Sequence, residues 1–210
     1  MKALLEVESK FRFKESLLTR FRSNQGNPPF NRLTFLRTHV FQDTYYDHAN
    51  VLSKNGIWIR ERADGKSKAL EAKKRITGDY TRSTFEEITD GDTIRALIRQ
   101  YLPQQQQQRS SSSASSSSCL EQQQQSHVGG LDVMARFTTS RQLFVADDRF
   151  SIMLDRTDFG HSVGEVELEA EDAGSAHREI DAFLRKYSWF CEGGGPVEGK
   201  LSAYFRLHGK

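Results

Sequence analysis

Disulfide chemistry has little to work with in this chain, whose 210 residues hold two cysteines, Cys119 and Cys191. Two thiols make no disulfide framework and match no metal-ligand spacing, which points to a reducing compartment. Long apolar runs are missing as well. No stretch approaches the roughly 18 residues that a membrane helix needs. The opening "MKALLEVESK" is too charged, and its apolar part too short, for a secretory leader. Neither charge sign dominates: 30 Lys and Arg stand against 28 Asp and Glu, and a net +2 is no footprint for bulk nucleic-acid binding. The six histidines, at 39, 48, 127, 161, 177 and 208, form no H-E-x-x-H or H-x-H. These gaps lead to the expectation of a soluble, cytoplasmic, monomeric protein with no nucleic-acid and no membrane partner.

What the chain does have is charge, on 28 % of its residues, and a pattern in where it sits. One segment stands apart. Residues 103–130, "PQQQQQRSSSSASSSSCLEQQQQSHVGG", are Gln/Ser low complexity and cannot bury a core, so they read as a disordered insert within a single domain spanning 1–210. The flanking parts alternate apolar and polar residues at 3–13, 33–43, 57–63, 67–75, 82–88, 134–144, 149–155 and 163–170, the signal of half-buried strands. Stripes of period 3.6 mark helices at 92–102 behind Asp92 and at 175–188 behind Ser175, with shorter ones at 15–21 and 200–207. Strands with helices between and after them indicate an α+β domain built on a mostly antiparallel sheet.

Alternate residues of a strand point to opposite faces. Glu6, Glu8, Lys10 and Arg12 therefore share one face of the first strand, opposite Leu5, Val7 and Phe11. Glu165, Glu167 and Glu169 line up opposite Val166 and Leu168. Trp58, Arg60 and Arg62 lie opposite Ile57 and Ile59, Thr139 and Arg141 share a side, and Met153 and Asp155 oppose Ile152 and Leu154. Any one such strand could be the wet face of an ordinary antiparallel sheet. Taken together the faces are segregated by sign, with acids on the first and last strands and an arginine pair between. A closed or strongly curled sheet would gather them in one lumen, with the apolar sides outward under helices. Charges so crowded are costly unless ligands compensate. Carboxylate clusters suit Mg²⁺ or Mn²⁺, and Arg and Lys suit phosphate, so such a lumen fits a metal–polyphosphate complex.

Glu6-Val7-Glu8-Ser9-Lys10 fits E-x-E-x-K. With "DTYYD" (43–47), "WIRER" (58–62), "LEAKKR" (70–75), "LDRTDFG" (154–160) and "GEVELE" (164–169), in that order, it resembles the CYTH, or triphosphate tunnel metalloenzyme, family. The likeness is nearest to its thiamine-triphosphatase members and covers nearly the whole chain apart from 103–130. The resemblance implies an eight-stranded antiparallel β-barrel, the triphosphate tunnel, with flanking helices. It implies a Mg²⁺-dependent triphosphatase acting on a small-molecule triphosphate, with Glu6, Glu8, Asp155, Glu165 and Glu167 as metal ligands. Lys10, Arg60, Arg62, Lys73, Arg141 and Lys200 match positions that hold the triphosphate, and all of these but Lys200 are also expected to act in catalysis. Trp58 matches a tryptophan that stacks on the thiazolium of thiamine triphosphate. The chain departs from the pattern at Met153, where those relatives carry an acid.

Two other motifs lead nowhere. "DFG" at 158–160 lacks the Gly-rich loop and H-R-D of a kinase. "GGPVEGKL" at 194–201 has Leu201 where a P-loop needs Ser or Thr for Mg²⁺. Cys191, beside Trp189 and Phe190, reads as a packed thiol. Hydrolysis of inorganic tripolyphosphate or nucleoside triphosphates stays open as an alternative, as does a non-catalytic polyphosphate-binding module. An interaction protein working through the insert is a third reading. Deleting 104–128 separates it from the others: a surface insert outside the lumen should be dispensable for triphosphate turnover, and loss of turnover with the fold intact would tie the insert to function.

Overall fold

The strand alternation reappears as a ring. The computed structural model describes residues 4–79, 81–102, 128–191 and 196–209. Its strands are β1 (Leu5–Phe11), β2 (Leu33–Asp47), β3 (Ile57–Ala63), β4 (Lys68–Gly78), β5 (Arg82–Ile88), β6 (Asp132–Ala146), β7 (Phe150–Thr157) and β8 (Ser162–Ala170). They close into a barrel in the order β1-β5-β4-β3-β2-β6-β7-β8, every neighbouring pair antiparallel. This is the expected eight-stranded tunnel. The expected insert lies outside the described residues as far as 127. Its last three residues belong to the fold: Val128 packs on the core, and Gly129 and Gly130, at φ +58° and +83°, turn the chain into β6.

The apolar faces point outward and helices cover them. Val7, Phe11, Ile152, Leu154, Val166 and Leu168 pack with Ile180 and Phe183 of α4 (Ala173–Lys186), with Tyr187 just after it, and with Phe21 of α1 (Leu17–Ser23). Trp189 and Phe190, on a 3-10 turn at Ser188–Phe190, complete this cluster. Opposite, Ile57, Ile59 and Ala72 meet Leu52 of α2 (Val51–Lys54) and Ile94 and Ile98 of α3 (Gly91–Tyr101). A third, smaller group lies on the inward face, where Tyr45 lines the lumen, and joins Tyr45, Ala135 and Phe137 to Leu201, Tyr204 and Phe205 of α5 (Lys200–His208). No helix among the described residues is long and apolar enough to cross a membrane.

The starts of α3 and α4 fall a residue or two ahead of the sequence reading, because a nearer carboxylate does the capping, whereas α1 starts two residues later than read and α5 where it was read. Asp90, not Asp92, accepts from the Thr93 N–H at 2.8 Å, and Asp172, not Ser175, accepts from the Gly174 N–H at 3.0 Å. β2 runs on through "DTYYD" to Asp47, whose buried carboxylate accepts from the backbone N–H groups of His48, Leu52 and Ser53 and so anchors α2. "DFG" forms the turn between β7 and β8, where Asp158 accepts from the Thr138 N–H.

One close approach fixes how β1 and β8 pack. Gly164 is the register partner of Phe11, and a Cβ built on it would overlap the Phe11 ring, itself edge-on to Phe190 at 4.8 Å. Gly164→Ala should therefore overpack this corner and lower the unfolding free energy by about 1–3 kcal/mol. A urea midpoint equal to that of the parent would show that Phe11 can yield.

Candidate active site

The lumen contains a cavity of about 330 Å³ whose walls are mostly charged. Its lining includes Glu6, Glu8, Lys10, Trp58, Arg60, Arg62, Lys73, Arg141, Glu165, Glu167 and Lys200. Eleven of the twelve residues singled out in the sequence thus face one space. The twelfth, Asp155, is fully buried just behind it. Strand parity explains the convergence: each of these strand residues lies on the face of its strand opposite the outward core.

Each of the six cations singled out in the sequence has a carboxylate partner. Arg62 donates to both oxygens of Asp43, at 2.8 and 2.9 Å. Arg141 donates to both oxygens of Asp155, each at 2.7 Å. The two guanidinium groups share the buried Phe41 ring, with Cζ atoms 4.0 and 5.5 Å from its centroid. Lys200, at the start of α5, reaches Asp155 as well, so one buried carboxylate holds two cations. Arg60 donates to Glu71 at 2.7 Å. Lys73 pairs with Glu6 at 2.5 Å and Glu87 at 3.2 Å, and Lys10 with Glu8. Glu165 lies 3.5 to 3.9 Å from Arg141, Lys10 and Lys200.

These neighbours set the ionisation of each acid. Burial would raise the Asp155 carboxyl, but Lys200 and Arg141 hold it below the usual range. Burial would likewise raise Glu165, and Lys200, Lys10 and Arg141 bring it down. Asp43 is lowered against its burial by the bond from Arg62. Two acids go the other way. Glu6 is pushed well above the normal carboxyl range by burial and by the charge of Glu167. Glu167 is raised by burial and, despite Lys73, by Glu165 and Glu8. Glu6, Glu8 and Glu167 bring carboxylate oxygens within 4.8 Å of one another. Three hard oxygen donors this close, two of them reluctant to ionise side by side, fit a divalent cation that would relieve their repulsion.

Sequence reasoning passed over several lining residues. Glu71 and Arg75 flank Lys73 at the same parity on β4, and Glu87 and Phe85 share a face of β5. Parity with Lys73 was the available signal for Glu71 and Arg75. Asp43 was not among the residues singled out, and only the cross-strand pairing of Asp43 with Arg62 reveals its hold on the site. Met153, the departure from the pattern, is buried opposite Glu165 and offers no oxygen. Trp58 lines the cavity with Phe85 edge-on to it and the Arg75 guanidinium over its ring.

With the geometry in place, comparison with known proteins is informative. A family model described as the CYTH domain matches residues 4–188. The chain belongs to the CYTH domain family. Solved structures share this CYTH fold. Protein PH1819 of Pyrococcus horikoshii OT3 is 18 % identical with a TM-score of 0.59, over 98 % of this chain and 99 % of that one. HpAC1 of Hippeastrum, a candidate adenylyl cyclase described as having a dominant triphosphatase activity, is 18 % identical with a TM-score of 0.54, over 97 % and 96 %. A candidate adenylate cyclase of Bacillus halodurans is 16 % identical with a TM-score of 0.52, over 95 % and 97 %. No curated protein matches the chain.

Asp155 is the member of this CYTH site whose loss should be felt first in stability. Asp155→Asn leaves Arg141 and Lys200 buried without their shared counter-charge, at a cost of about 3–5 kcal/mol. Chemical unfolding measures it, and a loss under about 1 kcal/mol would mean that Glu165 takes over both cations.

Proposed function

We propose that this protein is a metal-dependent triphosphatase, acting best on thiamine triphosphate and releasing thiamine diphosphate and phosphate. One observation carries the reading. Lining the cavity or lying directly behind it, nine carboxylates stand against seven cations, an excess of two negative charges when all are ionised. A triphosphate adds about four more near neutral pH. The lumen has the shape and the donors to bind it, yet not the charge unless a divalent cation enters too. Glu6, Glu8 and Glu167 would hold that ion, Mg²⁺ or Mn²⁺ by the hardness of the donors. When bound, it would supply charge neutralisation at phosphate oxygens and a more acidic water.

The rest falls to side chains of the chain. Lys10, Arg60, Arg62, Lys73, Arg141 and Lys200 bind the phosphate oxygens and stabilise charge as the terminal bond breaks. Asp43 and Asp155 act as positioning residues, since a guanidinium already fixed by two bonds needs no reorganisation when charge develops. Under this assignment Asp155 orients cations instead of holding the metal, and Glu165, shared among three cations, sits between the two duties. The thiamine preference rests on Trp58, whose indole lines the cavity and whose face attracts cations such as thiazolium. Arg75, a cation already over that ring, favours the second reading, hydrolysis of inorganic tripolyphosphate or a nucleoside triphosphate.

A phosphate-release panel against thiamine triphosphate, tripolyphosphate, ATP and GTP, with and without Mg²⁺, tests the proposal. Turnover should require the metal and fall by about 100-fold or more in Glu8→Gln and in Arg141→Lys. Trp58→Ala should lower the ratio of thiamine triphosphate to tripolyphosphate turnover by about 2- to 30-fold. Tight triphosphate binding without phosphate release would make the protein a binding module, and an unmoved ratio would remove thiamine as the preferred substrate.

A further inference from the structure

We infer that Arg75 is a specificity-determining residue, which fills the aromatic corner where a cationic head group would bind and so weakens the preference for such substrates that Trp58 confers. The inference deepens the triphosphatase reading and rests on it for the identity of the site. Arg75 follows Lys73 by two residues on β4 and shares its inward face; both line the cavity. Its guanidinium carbon lies 4.8 Å from the centroid of the Trp58 ring and 6.0 Å from that of Phe85. The two rings stand at 82° to each other with centroids 5.9 Å apart. Two π-faces meeting nearly at a right angle make a corner suited to a flat cation, because each ring presents its electron-rich face or polarises against its neighbour's edge. The chain puts its own flat cation there.

The consequence for substrate choice follows from charge. A triphosphate carrying a cationic ring must first lift the guanidinium from the indole, losing an interaction of the same kind as the one it gains. It must then leave two positive groups side by side at the end of the cavity. Bare tripolyphosphate meets neither cost, and an anionic or neutral continuation of the chain meets only the first. Trp58 and Arg75 therefore oppose each other: the indole recruits cations and the arginine keeps them out. The balance between the two residues, rather than Trp58 alone, sets how far a cationic substrate is favoured over bare tripolyphosphate.

The test uses the full chain and two probes. Thiamine, which carries the cationic ring without phosphate, is titrated against the protein by calorimetry, and turnover of thiamine triphosphate and tripolyphosphate is measured in parallel. Arg75→Met, which keeps the apolar stem, should bind thiamine about 2- to 30-fold tighter than the parent and raise the thiamine triphosphate to tripolyphosphate ratio of kcat/KM by a similar factor. Arg75→Lys, which keeps the charge, should stay near the parent ratio. Adding Trp58→Ala to Arg75→Met should abolish the gain. Should Arg75→Met not fold, as judged by its unfolding curve, Arg75→Gln removes the charge and is read the same way. Unchanged or weaker thiamine binding in the neutral variants overturns the inference. So does an equal fall in turnover of both substrates, which would make Arg75 a phosphate ligand. If the parent releases phosphate from no triphosphate, the triphosphatase reading fails by itself and the thiamine titration still decides the role of Arg75.

Discussion

Mutual neutralisation inside the barrel is the condition under which everything else in this protein can exist. A carboxylate or a guanidinium removed from water is costly unless it is paired and hydrogen-bonded. Asp43 and Asp155 are wholly buried, and both survive as anions because each receives two bonds from an arginine across the sheet. Such pairs form only when β2 meets β3 and β6 meets β7 in one register, since a slip of a single residue would turn each charge outward. The lumen charges thus specify the pairing of the strands as strictly as the apolar faces do.

The outer shell supplies what the lumen cannot. A barrel whose interior is mostly charged has only a small apolar cluster inside, around Tyr45, Ala135 and Phe137, so most of its hydrophobic stabilisation must come from its outside. The large cluster over β1, β7 and β8 does this with ten buried aromatic rings beneath and around α4, and the smaller cluster under α2 and α3 does it for β3 and β4. Buried apolar area carries most of the folding free energy. Helices on the outside of this sheet are therefore required, and the weak internal attractions within the lumen are freed for ligand binding. The three acids that remain crowded, Glu6, Glu8 and Glu167, mark the point where neutralisation by the chain itself stops.

How much of this was legible without coordinates depends on periodicity. Each of the eight strands was visible through alternation of apolar and polar residues along part of its length, and the parity of Glu6, Trp58, Arg141 and Glu165 then told which residues share a lumen. Closure was not written in any one strand. It followed from the segregation of sign among strands, which makes sense only if the faces meet. The helix ends were less legible, because Asp90 and Asp92, or Asp172 and Ser175, are chemically equivalent as caps until the chain direction at the turn is known. Asp43 and Glu87 were missed for a different reason. Their roles come from partners many positions away, Arg62 for the first and Lys73 for the second, and nothing local to "DTYYD" or "FEEIT" distinguishes a lumen acid from a surface one.

Met153 shows how one substitution in such a network is absorbed. A second acid beside Asp155 would have added one more carboxylate to a lumen where carboxylates already outnumber cations. Met153 instead places a polarisable, uncharged side chain across from Glu165. Glu165 is then free to serve Arg141, Lys10 and Lys200 without a like charge at its register partner, which agrees with its carboxyl being held low. The methionine lowers the count of potential metal ligands at that end and strengthens the hold on the cations. Under the proposed function a division of labour follows from it: the β1 and β8 acids farther along the lumen would hold the metal, while Asp155 on β7 orients the arginine and lysine that would bind phosphate.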